Sequence, residues 1–218
     1  MNTHDAWEYI HKNKDWGVYP TEHVIRFVAR NYYKTDRANV KILDFGCGTG
    51  AHTWYLAREG FDTYAFDISE TAIRKLQDRM KAENLTINAE AMDGLALDYP
   101  DYFFDAVIDN VSIWANKMED IKKMYRAVWD VLKVGGKFLT VVFSRETTGY
   151  GTGTKIEDGT YEGLAKGNLQ GLGYRHFFEE DELRRMLSET GFQDIGIDVV
   201  RYTDRGNVVE QFVATGVK

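Results

Sequence analysis

Three glycines, Gly46, Gly48 and Gly50, stand at alternate positions directly after the apolar run Lys41-Ile42-Leu43-Asp44-Phe45. Glycines in that place tolerate positive φ, admit a ligand close to the backbone, or let the next helix pack tightly. The following Ala51-His52-Thr53-Trp54-Tyr55-Leu56-Ala57-Arg58-Glu59, with Gly60 as its stop, reads as a helix whose free N–H groups face the same turn. Strand, glycine turn and helix in that order form a cradle for a nucleotide-type ligand. Asp67 strengthens this reading, because it follows the next apolar run, Phe61 to Phe66, about twenty residues on. That is the spacing at which an acid reaches ribose hydroxyls. Asp44, two positions before the first glycine, would repel a pyrophosphate but can face an ammonium group. Opposite charges about 4 Å apart and partly shielded from water attract by roughly a few kcal/mol. Cys47, between two glycines, reads as a small residue in a crowded turn rather than a nucleophile.

The elements that position these residues alternate. Ser69 can cap a helix carrying Ala72, Ile73, Leu76 and Met80 inward. Residues 85–91 alternate like a strand with one wetter face and end at Met92-Asp93-Gly94. Residues 103–110 form the fourth strand, whose end should open beside the first, where open α/β sheets bind ligands. A helix from about Glu119 carries Ile121, Met124, Tyr125, Val128 and Leu132, and Lys133-Val134-Gly135-Gly136 turns it into the strand 137–143. A helix starting among Glu179, Glu180, Asp181 and Glu182 places Leu183, Met186 and Leu187 inward and stops at Gly191. Two closing strands, 195–202 and 208–215, flank a hairpin-like loop.

The glycines alone fit two cofactor classes, since Gly46-Cys47-Gly48-Thr49-Gly50-Ala51 also satisfies the looser dinucleotide pattern. The hydrophobic strand, Asp44, one residue and Gly-Cys-Gly-Thr-Gly more closely resemble the first motif of class I S-adenosylmethionine-dependent methyltransferases. The resemblance runs in order from residue 41 to about 143. It implies a Rossmann-like α/β fold with a seven-stranded, mostly parallel sheet closed by an antiparallel C-terminal hairpin. It implies S-adenosylmethionine as cofactor, with Asp44, Gly46, Cys47, Gly48, Gly50 and Thr53 around its methionine end. Asp67 then meets the ribose hydroxyls and Asp93 the adenine amino group, with Ile68, Met92 and Gly94 also binding the cofactor. Asp109-Asn110-Val111-Ser112-Ile113-Trp114 occupies the family's fourth motif, so Asn110 and Val111 border methionine and acceptor. This stretch departs from the Asn-Pro-Pro-Tyr or Asp-Pro-Pro-Tyr signature of many enzymes that methylate amino groups of nucleic-acid bases. Trp114 is either core or a wall of the acceptor pocket.

The chain has 218 residues, 44% hydrophobic and 28% charged, which suits one domain spanning 1–218. The formal charge of −7 argues against a broad phosphate-binding face and hence against a nucleic-acid substrate. One cysteine excludes an internal disulfide and a multi-cysteine zinc site, and no metal is expected. The opening fourteen residues are charged and polar, and no apolar run is long enough to span a bilayer. The expectation is therefore a cytoplasmic protein without membrane contact.

Two segments lie outside this frame. Residues 1–37 form an expected helical lid. Trp7 and Ile10 share one helix face within 4–14, and Thr21 caps a second helix bearing Ile25, Val28, Ala29 and Tyr32. Its aromatics either pack on the sheet edge or, as Trp16 and Tyr19, fold over the cofactor mouth. Residues 144–173 hold eight of the chain's twenty glycines and no sustained period. They read as an acceptor-side flap built as a long loop. His176, where the flap rejoins the domain, is the candidate base, with His52 at the cofactor or capping the turn. The expected function is methyl transfer from S-adenosylmethionine to an oxygen, nitrogen or sulfur atom of a small-molecule acceptor. A nicotinamide-dependent oxidoreductase and a non-catalytic adenosyl-cofactor-binding protein are the alternatives.

Overall fold

The computed structural model describes residues 3–14 and 17–218, apart from the side chain of Leu172. Two helices open the chain, α1 (Thr3–Asn13) and α2 (Glu22–Tyr32). Then come β1 (Lys41–Phe45), α3 (Ala51–Arg58), β2 (Asp62–Asp67), α4 (Glu70–Ala82), β3 (Asn88–Ala91) and β4 (Phe104–Asn110). The helix α5 (Met118–Val131) leads into β5 (Leu132–Phe143). Three short strands follow, β6 (Thr154–Glu157), β7 (Thr160–Leu164) and β8 (Gly171–His176). The chain closes with α6 (Glu180–Thr190), β9 (Gln193–Asp204) and β10 (Asn207–Val217).

Seven strands form one sheet in the order β3-β2-β1-β4-β5-β10-β9. The first five run parallel, while β10 pairs antiparallel with both β5 and β9. Strand order reverses between β1 and β4, which opens a crevice at their carboxyl ends. Alternation divides the core cleanly, since successive side chains point to opposite faces. Leu43, Val107, Phe138 and Val142 pack with α5 and α6 on one face. Ile42, Ala106, Ile108, Leu139 and Val141 pack with α2 and α3 on the other. Both faces are therefore covered, as a parallel sheet requires.

Four details differ from the sequence reading. The buried stripe of α2 is Val24, Phe27, Val28 and Tyr32; Ile25 and Ala29 sit at its margin, half-buried. The third strand starts at Asn88, because Leu85 and Ile87 pack against α4 before pairing begins. The fifth strand starts at Leu132, which pairs with Phe104 before pairing resumes at Ala106 and Lys137. The fourth difference is the largest. Residues 144–173 are no long loop, for most of them lead into or build the antiparallel sheet β6-β7-β8. Its strands are too short for a visible period, and all eight glycines take positive φ, five of them at turns and bends and three within the short strands. At Gly167 a Cβ would lie 2.1 Å from the Thr148 carbonyl oxygen, so that crossing needs glycine. The small sheet is tied to the large one. Ser144 donates to Glu210 Oε1 at 2.7 Å, Thr147 to the Glu210 carbonyl at 2.7 Å, and Asn168 to Asp204 at 2.9 Å.

Candidate active site

A cleft of about 670 Å³ opens where strand order reverses. Its floor is the glycine turn. Gly46, Gly48 and Gly50 all have positive φ, and at Gly46 a Cβ would fall 1.8 Å from Ser112 Oγ. Glycine alone lets the turn pass beneath the end of β4. The Gly48 N–H donates to Asp67 Oδ2 at 2.8 Å, and the Ser69 N–H donates to Asp67 Oδ1 at 2.9 Å. Asp67 is thus fixed at the end of β2 against the turn. Burial pushes its carboxyl above the ordinary value, against the opposing pull of His11 and these N–H donors. Ile68, Met92, Asp93 and Gly94 continue this wall. Asp93, an exposed residue, accepts from the Leu95 N–H at 2.9 Å. The Cys47 thiol is pushed up by burial and stays protonated, as a small residue in a crowded turn would.

On the far side, Asn110 and Val111 end β4 at the cleft. The Asn110 side-chain oxygen lies 2.7 Å from His23 Nε2, and Thr21 Oγ1 bridges His23 (2.9 Å) and His52 (3.2 Å). The Thr21 N–H donates to His52 Nε2 at 3.4 Å, which leaves the ring proton on Nδ1, 4.0 Å from Asp44. Burial lowers His52 to about 4, so this ring is neutral and a weak proton acceptor. Thr21 occupies the cap position of α2 without capping it, since its hydroxyl is committed to the histidines. Trp114 resolves its two readings by being both. Its ring is buried against Phe143 at 4.7 Å, yet it lines the cleft, steered by an Nε1–H bond to the Val111 carbonyl at 2.6 Å.

Helix α1 covers the cleft. Glu8 accepts from the Ser69 hydroxyl (2.5 Å), the Thr71 hydroxyl (2.6 Å) and the Thr71 N–H (3.1 Å), seating α1 on the N-terminus of α4. Lys75 donates to the His11 carbonyl at 2.7 Å. His11 then rests with Nε2 4.0 Å from Asp67. Tyr19 stands 74% exposed at the rim, edge-on to Trp54.

Residues 42–136 match the family model for a methyltransferase domain. The chain is 26% identical over 180 residues to the ubiquinone/menaquinone biosynthesis C-methyltransferase UbiE of Pectobacterium atrosepticum, covering 73% of this chain and 68% of that protein. It is 26% identical over 183 residues to the malonyl-[acyl-carrier protein] O-methyltransferase of Bacillus anthracis, covering 81% of this chain and 63% of that protein. A solved S-adenosylmethionine-dependent methyltransferase from Methanosarcina mazei superimposes with a TM-score of 0.69 at 22% identity, over 81% of this chain and 92% of the other. The family match, the relatives and the shared fold together support a class I S-adenosylmethionine-dependent methyltransferase. Its cofactor is S-adenosylmethionine, and the glycine floor with an acid fixed at its edge fits that group.

The methyltransferase frame brings twelve anticipated residues to the cleft. Gly46, Cys47, Gly48 and Gly50 form the floor, Asp67, Ile68, Met92, Asp93 and Gly94 one wall, Asn110 and Val111 another, and Tyr19 the rim. Asp44 and Thr53 do not reach it. They lie behind the floor, joined by a 2.6 Å bond from the Thr53 hydroxyl, and Asp44 is 1% exposed. Burial raises Asp44 to about 7. Trp16 lies outside the described residues. His176 is a correction. It is fully buried, with Nδ1 2.7 Å from Thr160 Oγ1 and Nε2 3.4 Å from Glu182, and it does not line the cleft. Adjacent residues in a strand point to opposite sides; on β8 it is Arg175 that faces the cleft.

Glu8 and Arg175 were not singled out in the sequence, and Asp109 entered only as the first residue of the fourth-motif stretch. Asp109 accepts from the Ser112 and Ile113 N–H groups and the Thr140 hydroxyl, and so shapes the turn that presents Trp114. Burial raises its carboxyl to about 6. Among the described residues, no helix is long and apolar enough to cross a membrane.

Proposed function

We propose that this methyltransferase acts on an oxygen, nitrogen or sulfur atom of a small-molecule acceptor. One observation carries the reading. The cleft has a backbone-built half at the glycine turn and an aromatic half walled by Trp7, Trp114 and Phe143, both under the cover of α1. A pocket of this size, closed on several sides, suits a cofactor with a compact partner. The acidic net charge favours a small molecule over nucleic acid.

When bound, the cofactor supplies a methyl group already activated on a sulfonium. In this proposal Asp67 accepts from the ribose hydroxyls and Asp93 from the adenine amino group, with Ile68 and Met92 against the ring. The floor of Gly46 to Gly50, with Asn110 and Val111, holds the methionine end. Asp44 acts from behind that floor, orienting Thr53 and His52 and contributing negative potential toward an ammonium. Trp114, Phe143 and the seated α1 keep water out and hold the acceptor in line, and orientation of this kind supplies on the order of 7–11 kcal/mol. The 144–173 segment supplies the acceptor-side cover as a folded sheet.

Calorimetric titration with S-adenosylhomocysteine and with NAD tests the cofactor half. Binding of the first alone is expected, and saturable binding of NAD alone overturns the reading. Turnover of labelled S-adenosylmethionine across a panel of small metabolites tests the acceptor half. Because the relatives' names include both C- and O-methyltransferases, the panel includes carbon nucleophiles. Labelling of carbon nucleophiles alone would correct the atom proposed here.

A further inference from the structure

Arg175 is 7% exposed, and it faces the cleft. A cation so deeply buried ordinarily sits against a carboxylate, because an unpaired charge away from water is costly. Here the guanidinium has no such partner among the described residues. Its Nη1 donates to the neighbouring Tyr174 carbonyl at 2.7 Å, and its Nε has no hydrogen-bond partner. Burial alone lowers it, to about 10, with no acid pulling it back. Two indole rings hold the group in place, its central carbon 5.5 Å from the Trp7 centroid and 5.2 Å from the Trp114 centroid. Cation–π contact fixes the plane of the guanidinium without using its N–H donors. A rigid fork with a buried, unfilled donor is what bidentate recognition of a carboxylate needs.

We infer that Arg175 binds a carboxylate of the methyl acceptor, so that the acceptor class is a small organic acid with an apolar, ring-sized body. The inference rests on the methyltransferase reading of the same cleft. Location separates this subsite from the cofactor's. Arg175 comes from β8, touches Trp114 and Trp7, and adjoins Phe143 through Trp114. The glycine floor, Asn110 and Asp67 belong to other elements. The charge pattern agrees. Asp67, Asp93 and Asp120 line the remaining cleft and repel an anion there, while Lys14 is an exposed rim residue. The indole faces that hold the guanidinium also offer an apolar wall to the body of the acid. The shared chemistry has a second source, the carboxylate of the cofactor's own methionine end, and the test separates the two.

The probes are S-adenosylhomocysteine, then benzoate and benzyl alcohol added to the S-adenosylhomocysteine-loaded protein, with tryptophan fluorescence and calorimetry as readouts. The parent is expected to prefer benzoate over benzyl alcohol by tenfold or more. Arg175→Gln should erase that preference while changing S-adenosylhomocysteine affinity less than threefold. Arg175→Lys, which keeps the charge without the fork, should retain part of it. No preference for benzoate in the parent overturns the inference without needing a variant to fold. A tenfold or greater loss of S-adenosylhomocysteine affinity in both variants, with the benzoate preference intact, assigns Arg175 to the cofactor and also overturns it. Failure of the parent to bind S-adenosylhomocysteine at all is a different result, and it removes the methyltransferase reading on which the inference stands.

Discussion

The two sides of the cleft are built by different means. The proposed cofactor side is made of strand ends and one turn, and its hydrogen bonds come from backbone N–H groups at Gly48 and Ser69. The proposed acceptor side is made of side chains from α1, β8 and the segment after β4, with Trp7, Trp114 and Arg175 meeting in space. A backbone site depends on φ and on the lack of a Cβ, so it tolerates almost no change. A side-chain site depends on which long-range contacts hold its parts together, so it can be altered piece by piece. This difference teaches where a family keeps its common chemistry and where one member can acquire its own acceptor.

The hardest blow to the comparison should come from Gly46→Ala. The new Cβ would overlap Ser112 Oγ at a positive φ, adding backbone strain of about 1–3 kcal/mol to a clash that must be relieved. S-adenosylhomocysteine affinity should fall by about a hundredfold or more, at about 1.4 kcal/mol per tenfold. A calorimetric titration showing near-parent affinity would mean the floor is not a backbone site. Asp67→Ala comes next. Loss of hydrogen bonds to a charged group costs about 1.5–3 kcal/mol, read as a weaker Kd for the same ligand. The variant also loses the acceptor for two N–H groups, so a lower melting temperature should accompany the effect.

A smaller effect is expected at the lid. Glu8→Gln weakens the seat of α1 on Ser69 and Thr71, and amide exchange across residues 3–13 should speed up, with a few-fold weaker ligand affinity. The same carboxyl gives a pH test. Burial opposes its ionisation, yet the hydrogen bonds from Ser69 and Thr71 prevail and hold it well below the ordinary value of 4.5. A depressed acid contributes its full stability above the unfolded value and loses it as pH falls through the folded one. The melting-temperature gap between parent and Glu8→Gln should therefore be constant near neutrality and close below about pH 4. A gap that widens in acid would show that Glu8 is not the anchor.

The smallest catalytic effect is expected at His176. A lost general base typically costs 10²–10⁴-fold in rate. His176→Gln should instead lower kcat by no more than about threefold, and reduce stability through the bond to Thr160. A hundredfold fall in kcat with unchanged ligand affinity would return His176 to the chemistry and erase the contrast drawn between the two residues of β8.

The glycine-turn side of the cleft was legible in the sequence by itself. Glycine spacing, Asp67 at the end of its strand and the apolar runs 41–45 and 103–110 are local properties, set by φ and by strand burial. The family resemblance of residues 41–143 implied the seven-stranded sheet, and the structure has it. Tertiary structure decided the rest. Glu8 meets Ser69 across 61 residues, and Arg175 meets Trp7 from the opposite end of the chain. No local pattern encodes such pairs. The glycine-rich stretch gave no period because its strands are only four to six residues long; their pairing, with Tyr161 opposite Arg175 and Thr160 opposite His176, settled which of two adjacent side chains enters the cleft. That choice turns on the register of a folded sheet, and register exists only once the strands have met.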